Sequence, residues 1–447
     1  MIGFETIGNA TVTCFDGGPV LSTDPWIEGE PYFGSWGQPF TVPIDQIENI
    51  KNSKYIWLSH GHPDHINGSS FKYFKDATIL IPDHCGDRIY NYFSSRFKCI
   101  KLKSNTWFQV SNNIRIKSFS DWNQDAALII DILGKDCLLN QNDGSLLGWR
   151  KTIKDIISNY ENRFMLKLVN WGDADMINLY NENGSLILPE AAKKQPLGPA
   201  YLQHMKDIGC NFSIPFSSFH KYVREDSIHM NQFVTPLDSH YEGFVSDECS
   251  LLPAHILWDS CKTDFKELLP ALSEAAILCP KNFGDNYSDI LEREDEDLLT
   301  KYFQSFEHLK QHFGGIIFKV GNRETAIKIS NKKPVIYFEA PRGSLVKAVS
   351  YEIFDDLLIG NFMKTTLVDC PSLYPNFSPY IGKYGDNGLA KSKAELKEYF
   401  DYYKLNSADY WKDTLSIHTE SIVRKIIPSE SSIFKVAKKL RDRLTYN

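Results

Sequence analysis

YIWLSHGHPDHINGSS, residues 55–70, holds the densest run of metal-ligating side chains in the chain. His60, His62, Asp64 and His65 fall within six residues, directly after the short apolar strand signal KYIWLS. Imidazole and carboxylate are the usual ligands of zinc, iron and manganese. On an extended loop, alternation turns His60 and His62 the same way, so both rings can meet one ion. Asp64 and His65 follow at a helix start and can meet a second ion beside it. Gly61 lets the loop fold tightly and Pro63 stiffens the turn. The bland alternative is a polar surface loop that carries histidines by chance. The chain has only 12 histidines, and three of them stand here around an aspartate.

Working outward, KYIWLS and ATILIP belong to a series of short β segments. FETIGNATVTCF and PVLSTDPW precede them, joined at Asp16-Gly17-Gly18, a hairpin signal. RFKCIKL, TWFQVS, NIRIKSF, AALIIDI and CLLN follow. Helical stretches are expected at NGSSFKYFKD, GDRIYNYFSSRF and GWRKTIKDIISNYEN. Strands mixed with helices in a mainly hairpin-like series indicate an α/β layered sandwich more than a doubly wound sheet. Residues 189–244 read as loop-rich. SCKTDFKELLPALSEAAIL and EREDEDLLTKYFQSFEHLKQHF read as amphipathic helices. A second β pattern follows Gly314 with GIIFKV, TAIKIS and PVIYFEA. SYEIFDDLLIGNF, KAELKEYFDYYK and the basic tail SSIFKVAKKLRDRL read as helical. A soft boundary divides a first domain, 1–290, from a C-terminal α+β accessory region, 291–447.

Composition bounds the function. At 447 residues, 42% hydrophobic and 23% charged, the chain is an ordinary globular protein of two or three domains. A net charge of -7, from 56 acidic and 49 basic residues, argues against nucleic acid as the partner. No apolar run long enough for a membrane span occurs, and MIGFETIGNATV is not a secretory signal. Nine scattered cysteines without a CxxC pair read as reduced thiols of a cytoplasmic protein.

HGHPDH resembles the HxHxDH signature of the metallo-β-lactamase superfamily, whose members share an αββα sandwich with the metal site at the sheet edges. STDPWIEGEPYFGSW, LLNQND, PFSSFHKYVREDS and FDDLLIGNFM are more specifically similar to the branch containing CMP-N-acetylneuraminate hydroxylase. The likeness reaches from about residue 15 to 365. That hydroxylase also carries a Rieske iron–sulfur domain. The CxH and CxxH ligand pair of such a domain is absent from this sequence, so the reaction is not carried over.

The resemblance implies further ligands. Asp143, after the strand in GKDCLLNQND, matches the acidic residue that bridges both metals. His220 in PFSSFHKY matches the late histidine, with His240 in reserve. The superfamily usually places another histidine before the strand equivalent to AALIIDI. Here SFSDWNQDAALII has none; Asp121 falls at the matching distance and Asp125 is a second candidate. An oxygen donor at that position suits iron or manganese better than a three-histidine zinc site does.

The expected cofactors are two divalent metal ions, Zn or Fe/Mn, about 3.5–4 Å apart. Such a pair lowers the pKa of a bound water to about 7, which makes hydrolysis of a small polar or anionic substrate the leading expectation. Sugar-, nucleotide- or phosphate-like molecules fit that description. Asp64 could also orient the attacking water, and Asp24 could back a ligating imidazole. The alternative is a di-iron oxygenase served by an external electron donor; a third is a non-catalytic metal-binding interaction protein. Lys221 and Arg224 are candidates to face an anionic substrate group, against the plainer role of solvated surface. Trp26, Trp36, Trp122 and Trp171 either line the pocket or belong to the core.

Overall fold

The computed structural model describes residues 1–168, 177–274 and 276–415. Strand Ala126–Ile132 explains the layering. Ala126, Leu128, Ile130 and Ile132 face one hydrophobic core, while Ala127 and Ile129 face another. A strand apolar on both faces must be covered on both. On the inner side its sheet meets a second sheet: Leu128, Ile130, Leu138 and Phe164 pack against Phe4, Val12, Leu21, Trp57 and Leu80. On the outer side lie helices Arg150–Ile157, through Ile153 and Ile157, and Gly198–Ile208, through Tyr201, Met205 and Ile208. The opposite sheet is covered by Ile50 of helix Ile44–Lys51 and Phe93 of helix Arg88–Ser94. Helix, sheet, sheet and helix make the αββα sandwich that the sequence resemblance implies.

One sheet has eight strands in the order Asp264–Glu267, Ile256–Asp259, Ile2–Ile7, Thr11–Asp16, Gly18–Thr23, Tyr55–Trp57, Thr78–Pro82 and Cys99–Leu102. The other has seven, in the order Ser250–Leu251, Phe212–Pro215, Asn162–Lys167, Asp136–Asn142, Ala126–Ile132, Ile114–Ser120 and Trp107–Gln109. The ends of Tyr55–Trp57, Asp136–Asn142 and Phe212–Pro215 run out on the same edge as the start of Ala126–Ile132, and the ligand candidates stand there.

A third sheet of five strands holds Leu179–Asn181, Lys364–Val368, Val335–Glu339, Gly315–Val320 and Arg323–Lys328. Helices Arg293–Ser305, Arg342–Ser350 and Phe354–Ile359 cover one face through Leu299, Phe303, Leu345, Phe354 and Leu357. Its edge strand Leu179–Asn181 comes from the first half of the chain and pairs in parallel with Lys364–Val368. Helix Lys393–Asn406 leaves this region and returns to the sandwich, where Tyr399 and Tyr403 pack with Trp122.

Four expectations are corrected. Residues 189–244 are not mainly loop: they hold helix Gly198–Ile208 and strand Phe212–Pro215, whose apolar side chains pack in the sandwich. FETIGNATVTCF is two strands, turned at Gly8 with φ 56°. SCKTDFKELLPALSEAAIL is not a helix: Asp264–Glu267 pairs antiparallel with Ile256–Asp259, and Pro270 stops a helix from forming beyond it. NGSSFKYFKD closes as one 3-10 stretch, Gly68–Tyr73. The basic tail and Trp171 lie outside the described residues. Among those described, no helix is long and apolar enough to cross a membrane.

Candidate metal centre

Strand Tyr55–Trp57 ends inside the sandwich, so the loop after it starts buried. His60 is 4% and His65 0% exposed. Burying an imidazole costs hydration, so each ring nitrogen needs a partner. The arrangement repeats three times. His60 Nδ1 is 2.9 Å from Ser59 Oγ, and its Nε2 points to His62 Nδ1 at 2.9 Å and to Asp143 Oδ2 at 3.8 Å. His65 Nδ1 is 3.1 Å from Asp24 Oδ2, and its Nε2 faces Asp64 Oδ2 at 3.4 Å and Asp143 Oδ2 at 3.5 Å. His62 Nε2 is 3.3 Å from Asp355 Oδ2. One nitrogen of each ring is backed, and the other is turned towards a shared space.

The ligand atoms of His60, His65 and Asp143 all lie within 4.8 Å of one another. His65 Nε2 is buried without a hydrogen bond. These are the features of a cation site, and the electrostatics agree. Burial alone would depress the His65 pKa, yet the carboxylates of Asp64, Asp143 and Asp24 hold it well above the usual range. Burial, with Asp121 and Asp143 alongside, pushes the Asp125 carboxyl well above its usual range. The cluster is therefore short of positive charge, and the field that would hold a proton there would also hold a metal ion. His60 is driven the other way, by burial and then by its neighbours His65 and His62. It offers a neutral imidazole, the ligating form. Burial opposes ionisation of Asp143, but His65, His60 and the Ser217 hydroxyl outweigh it and hold its pKa below the usual carboxylate range.

Asp24 is the hub behind the loop. It is fully buried and accepts from the Ser59 amide at 2.7 Å and Asn142 Nδ2 at 2.6 Å, besides facing His65. Its backbone is left-handed at φ 39°, as are Gln124 at 62°, Asn142 at 48° and Ser217 at 70°. Non-glycine residues avoid this region unless their surroundings enforce it, and such strain gathers at functional sites.

The other sequence candidates separate. Asp64 is 2% exposed; Asn9 Nδ2 donates to its Oδ2 at 2.9 Å and the Tyr32 hydroxyl to its Oδ1 at 2.5 Å. It does not line the cavity described below. Asp121 is turned away. Its oxygens accept from the Asn123 amide at 2.7 Å and the Ser145 hydroxyl at 2.7 Å, closing a turn. Asp125 takes the place beside the ring, with Oδ1 3.4 Å from His60 Nδ1. The next segment supplies His220, which stacks on Trp36 at 3.6 Å and 9° and is backed by Ser218 O at 2.9 Å. It is not among the three clustered ligands. Burial depresses its pKa to about 4. His240 bonds Tyr201 at 2.8 Å.

Lys221 and Arg224 do not reach the site. The Lys221 ammonium donates to Ser273 O in a strand pair with Trp36–Gly37. Arg224 is 0% exposed, bonded to Asp285 at 2.6 Å and to Phe33 O at 2.8 Å, and stacked 3.8 Å over Phe362. A guanidinium so enclosed holds the fold. Trp26 is core and Trp122 packs on Tyr410.

A cavity of about 560 Å³ opens over the cluster. His60, His62, Asp125 and Asp143 form its floor with Tyr32 and Asp355; Ile177, Leu179 and Ile187 give an apolar wall; Lys383 and Asn387 complete the lining. The last two come from the π-helical stretch Pro379–Asn387, whose wide turn sets Pro379, Lys383 and Asn387 on one face. Lys383, Asp355, Tyr32 and Asn9 were missed from sequence. FDDLLIGNFM did carry a signal, since two adjacent carboxylates opened an otherwise apolar helix.

No family model matches the chain. It is similar to the cytidine monophosphate-N-acetylneuraminic acid hydroxylase of Asterias rubens, 27% identical over 136 residues, covering 29% of this chain and 19% of that protein. The match thus spans about a fifth of that relative's length. Among solved structures, the metallo-β-lactamase fold protein YhfI from Bacillus subtilis is 14% identical with a TM-score of 0.31, over 56% of this chain and 90% of that one. CmlA, a diiron β-hydroxylase from Streptomyces venezuelae, is 11% identical with a TM-score of 0.35, over 54% of this chain and 48% of that one.

Proposed function

We propose that the chain is a metal-dependent hydrolase that holds two divalent ions in this cluster and acts on a small anionic substrate. The observation that carries the reading is the repeated geometry of His60, His62 and His65, each backed at one nitrogen and turned towards the shared space at the other. His60, His62, His65, Asp64, Asp125 and Asp143 would hold the ions. Asp125 replaces Asp121 as the oxygen donor of the position where the superfamily has a histidine, because it is the carboxylate beside His60. Such a pair of ions supplies Lewis acidity and ionises water at neutral pH.

The chain's own groups do the rest. Asn9 and Tyr32 occupy both oxygens of Asp64 and fix its direction, so Asp64 serves as a ligand and leaves the cavity floor to Asp143. The apolar wall keeps bulk water off the reacting group. Lys383 takes the role first expected of Lys221 and Arg224, meeting a carboxylate or phosphate of the substrate. Lys383→Ala should raise KM at least tenfold for anionic substrates, with a smaller change in kcat. Unchanged kinetics would remove Lys383 from this role.

A second reading, a di-iron oxygenase, draws support from Asp125, since carboxylate in place of imidazole favours iron. Elemental analysis of anaerobically purified protein, with assays on generic phosphodiesters and lactones, separates the two. Two zinc or manganese ions with hydrolytic turnover support the hydrolase. Brown protein holding two irons and inert to those substrates supports the oxygenase. Protein that holds no metal under either preparation overturns both.

A further inference from the structure

The group that backs His62 comes from the other end of the chain. Asp355, in the first turn of helix Phe354–Ile359, stands 3.3 Å from His62 Nε2 across 293 residues of sequence. His60 and His65 draw their backing groups, Ser59 and Asp24, from the sandwich itself. The opposite nitrogen of His62 lies 2.9 Å from His60 Nε2, at the mouth of the shared space.

Asp355 has little freedom to leave. The π-helical stretch comes down directly upon it: a Cβ on Gly382 would lie 2.6 Å from Asp355 Cγ and 2.8 Å from its Oδ2. Gly382 adopts no left-handed backbone, so close approach, not conformation, is what requires glycine here. Gly385 and Gly388 continue the same closeness against Phe306 and Tyr399. The carboxylate is held between this helix and the imidazole.

A neutral imidazole carries its proton on one nitrogen and a lone pair on the other. A carboxylate at Nε2 selects the Nε2–H tautomer and leaves the Nδ1 lone pair facing inward. We propose that Asp355, clamped by Gly382, is the positioning residue that sets the tautomer and direction of His62, so the C-terminal region completes the metal centre. This rests on the metal-site reading above and adds to it a residue that acts on the ion through the His62 ring.

Zinc titration calorimetry on the full chain tests the inference. Wild type should bind two ions. Asp355→Ala should keep one site and weaken the other about 10–100-fold, the usual cost of losing such a backing group. Asp355→Asn, which keeps an acceptor oxygen for Nε2–H, should fall between them. Gly382→Ala leaves Asp355 in the sequence but denies it its seat, and should weaken the same site. Nitrogen-15 spectra of labelled histidine in zinc-loaded protein should show the Nε2–H form of His62 in wild type and a mixed tautomer in Asp355→Ala. Folding of each variant is checked by circular dichroism, and the Asn variant carries the test if Gly382→Ala does not fold. Wild-type zinc affinity at both sites in Asp355→Ala overturns the inference while the metal-site reading stands. Absence of zinc binding by wild type removes that reading itself.

Discussion

Asp24 shows what a single buried carboxylate is asked to do. It answers the Ser59 amide and the Asn142 side chain while facing His65, all out of contact with water. Replacing it with alanine orphans those donors, and each orphan costs about 1–3 kcal/mol. We therefore expect Asp24→Ala to lose about 3–5 kcal/mol of stability in urea unfolding and to weaken metal retention as well. A loss below about 1 kcal/mol would mean that water replaces the carboxylate and the network is looser than described. The same reasoning separates the two kinds of cation. Lys221→Ala should leave kinetics unaltered, because its ammonium is spent on the Ser273 carbonyl. Sequence placed His60, His62, Asp64 and His65 together because they are neighbours in the chain. It misplaced Lys221 and Arg224 because charge in a sequence carries no sign of burial, and only the fold sets Arg224 against Asp285.

Strand Ile2–Ile7 and helix Ile44–Lys51 meet at a buried acid. Glu5 is 4% exposed and accepts from Asn49 Nδ2 at 2.9 Å and Gln46 Nε2 at 3.4 Å. Burial raises its pKa from 4.5 to about 7, against the pull of those two amides. A folded-state pKa above the unfolded one means that the folded protein binds the proton more tightly. This contribution is fully present below pH 4.5 and is lost as pH rises to about 7. The loss is on the order of 3 kcal/mol. Glu5→Gln removes the titration, so the gap between variant and wild-type stability should open in the variant's favour across that window. A gap that stays constant with pH would place the Glu5 titration elsewhere. The layers around this joint were legible from sequence, since AALIIDI, ATILIP and KYIWLS are apolar on both faces and demand cover on both. SCKTDFKELLPALSEAAIL was misread because its spacing of leucines suits a helix, whereas Leu269 and Leu272 are 85% and 76% exposed and pack in no helix face. Asp121 and Asp125 could not be told apart along the chain, because only the folded turn gives the oxygens of Asp121 to Asn123 and Ser145 and sets Asp125 beside His60.

Contacts between the C-terminal region and the sandwich run through the centre. Arg88, beside the metal loop, donates to the Glu352 and Asp386 carbonyls at 2.8 and 2.7 Å. Tyr403 takes bonds from Gln124 at 3.2 Å and the Cys85 amide at 3.3 Å. Asp355 holds His62. A cation bound by the sandwich therefore has an interest in the third sheet staying docked. Ligand that binds only the closed arrangement stabilises it by about 2.7 kcal/mol at a concentration of 100 times Kd. Openings that detach the C-terminal region break the His62 contact, so metal should suppress them by up to about a hundredfold. Hydrogen exchange at the amides of Gly315–Val320, a central strand of that sheet, should slow by such a factor on adding zinc. The strand touches none of the ligands, so protection there reports coupling and not local shielding. In Asp355→Ala the effect should shrink, because the tie between imidazole and helix is gone while the other contacts remain. Exchange in Gly315–Val320 that is indifferent to zinc, with protection confined to residues near His60, would show that the third sheet opens independently of the centre and contributes only a wall to its cavity.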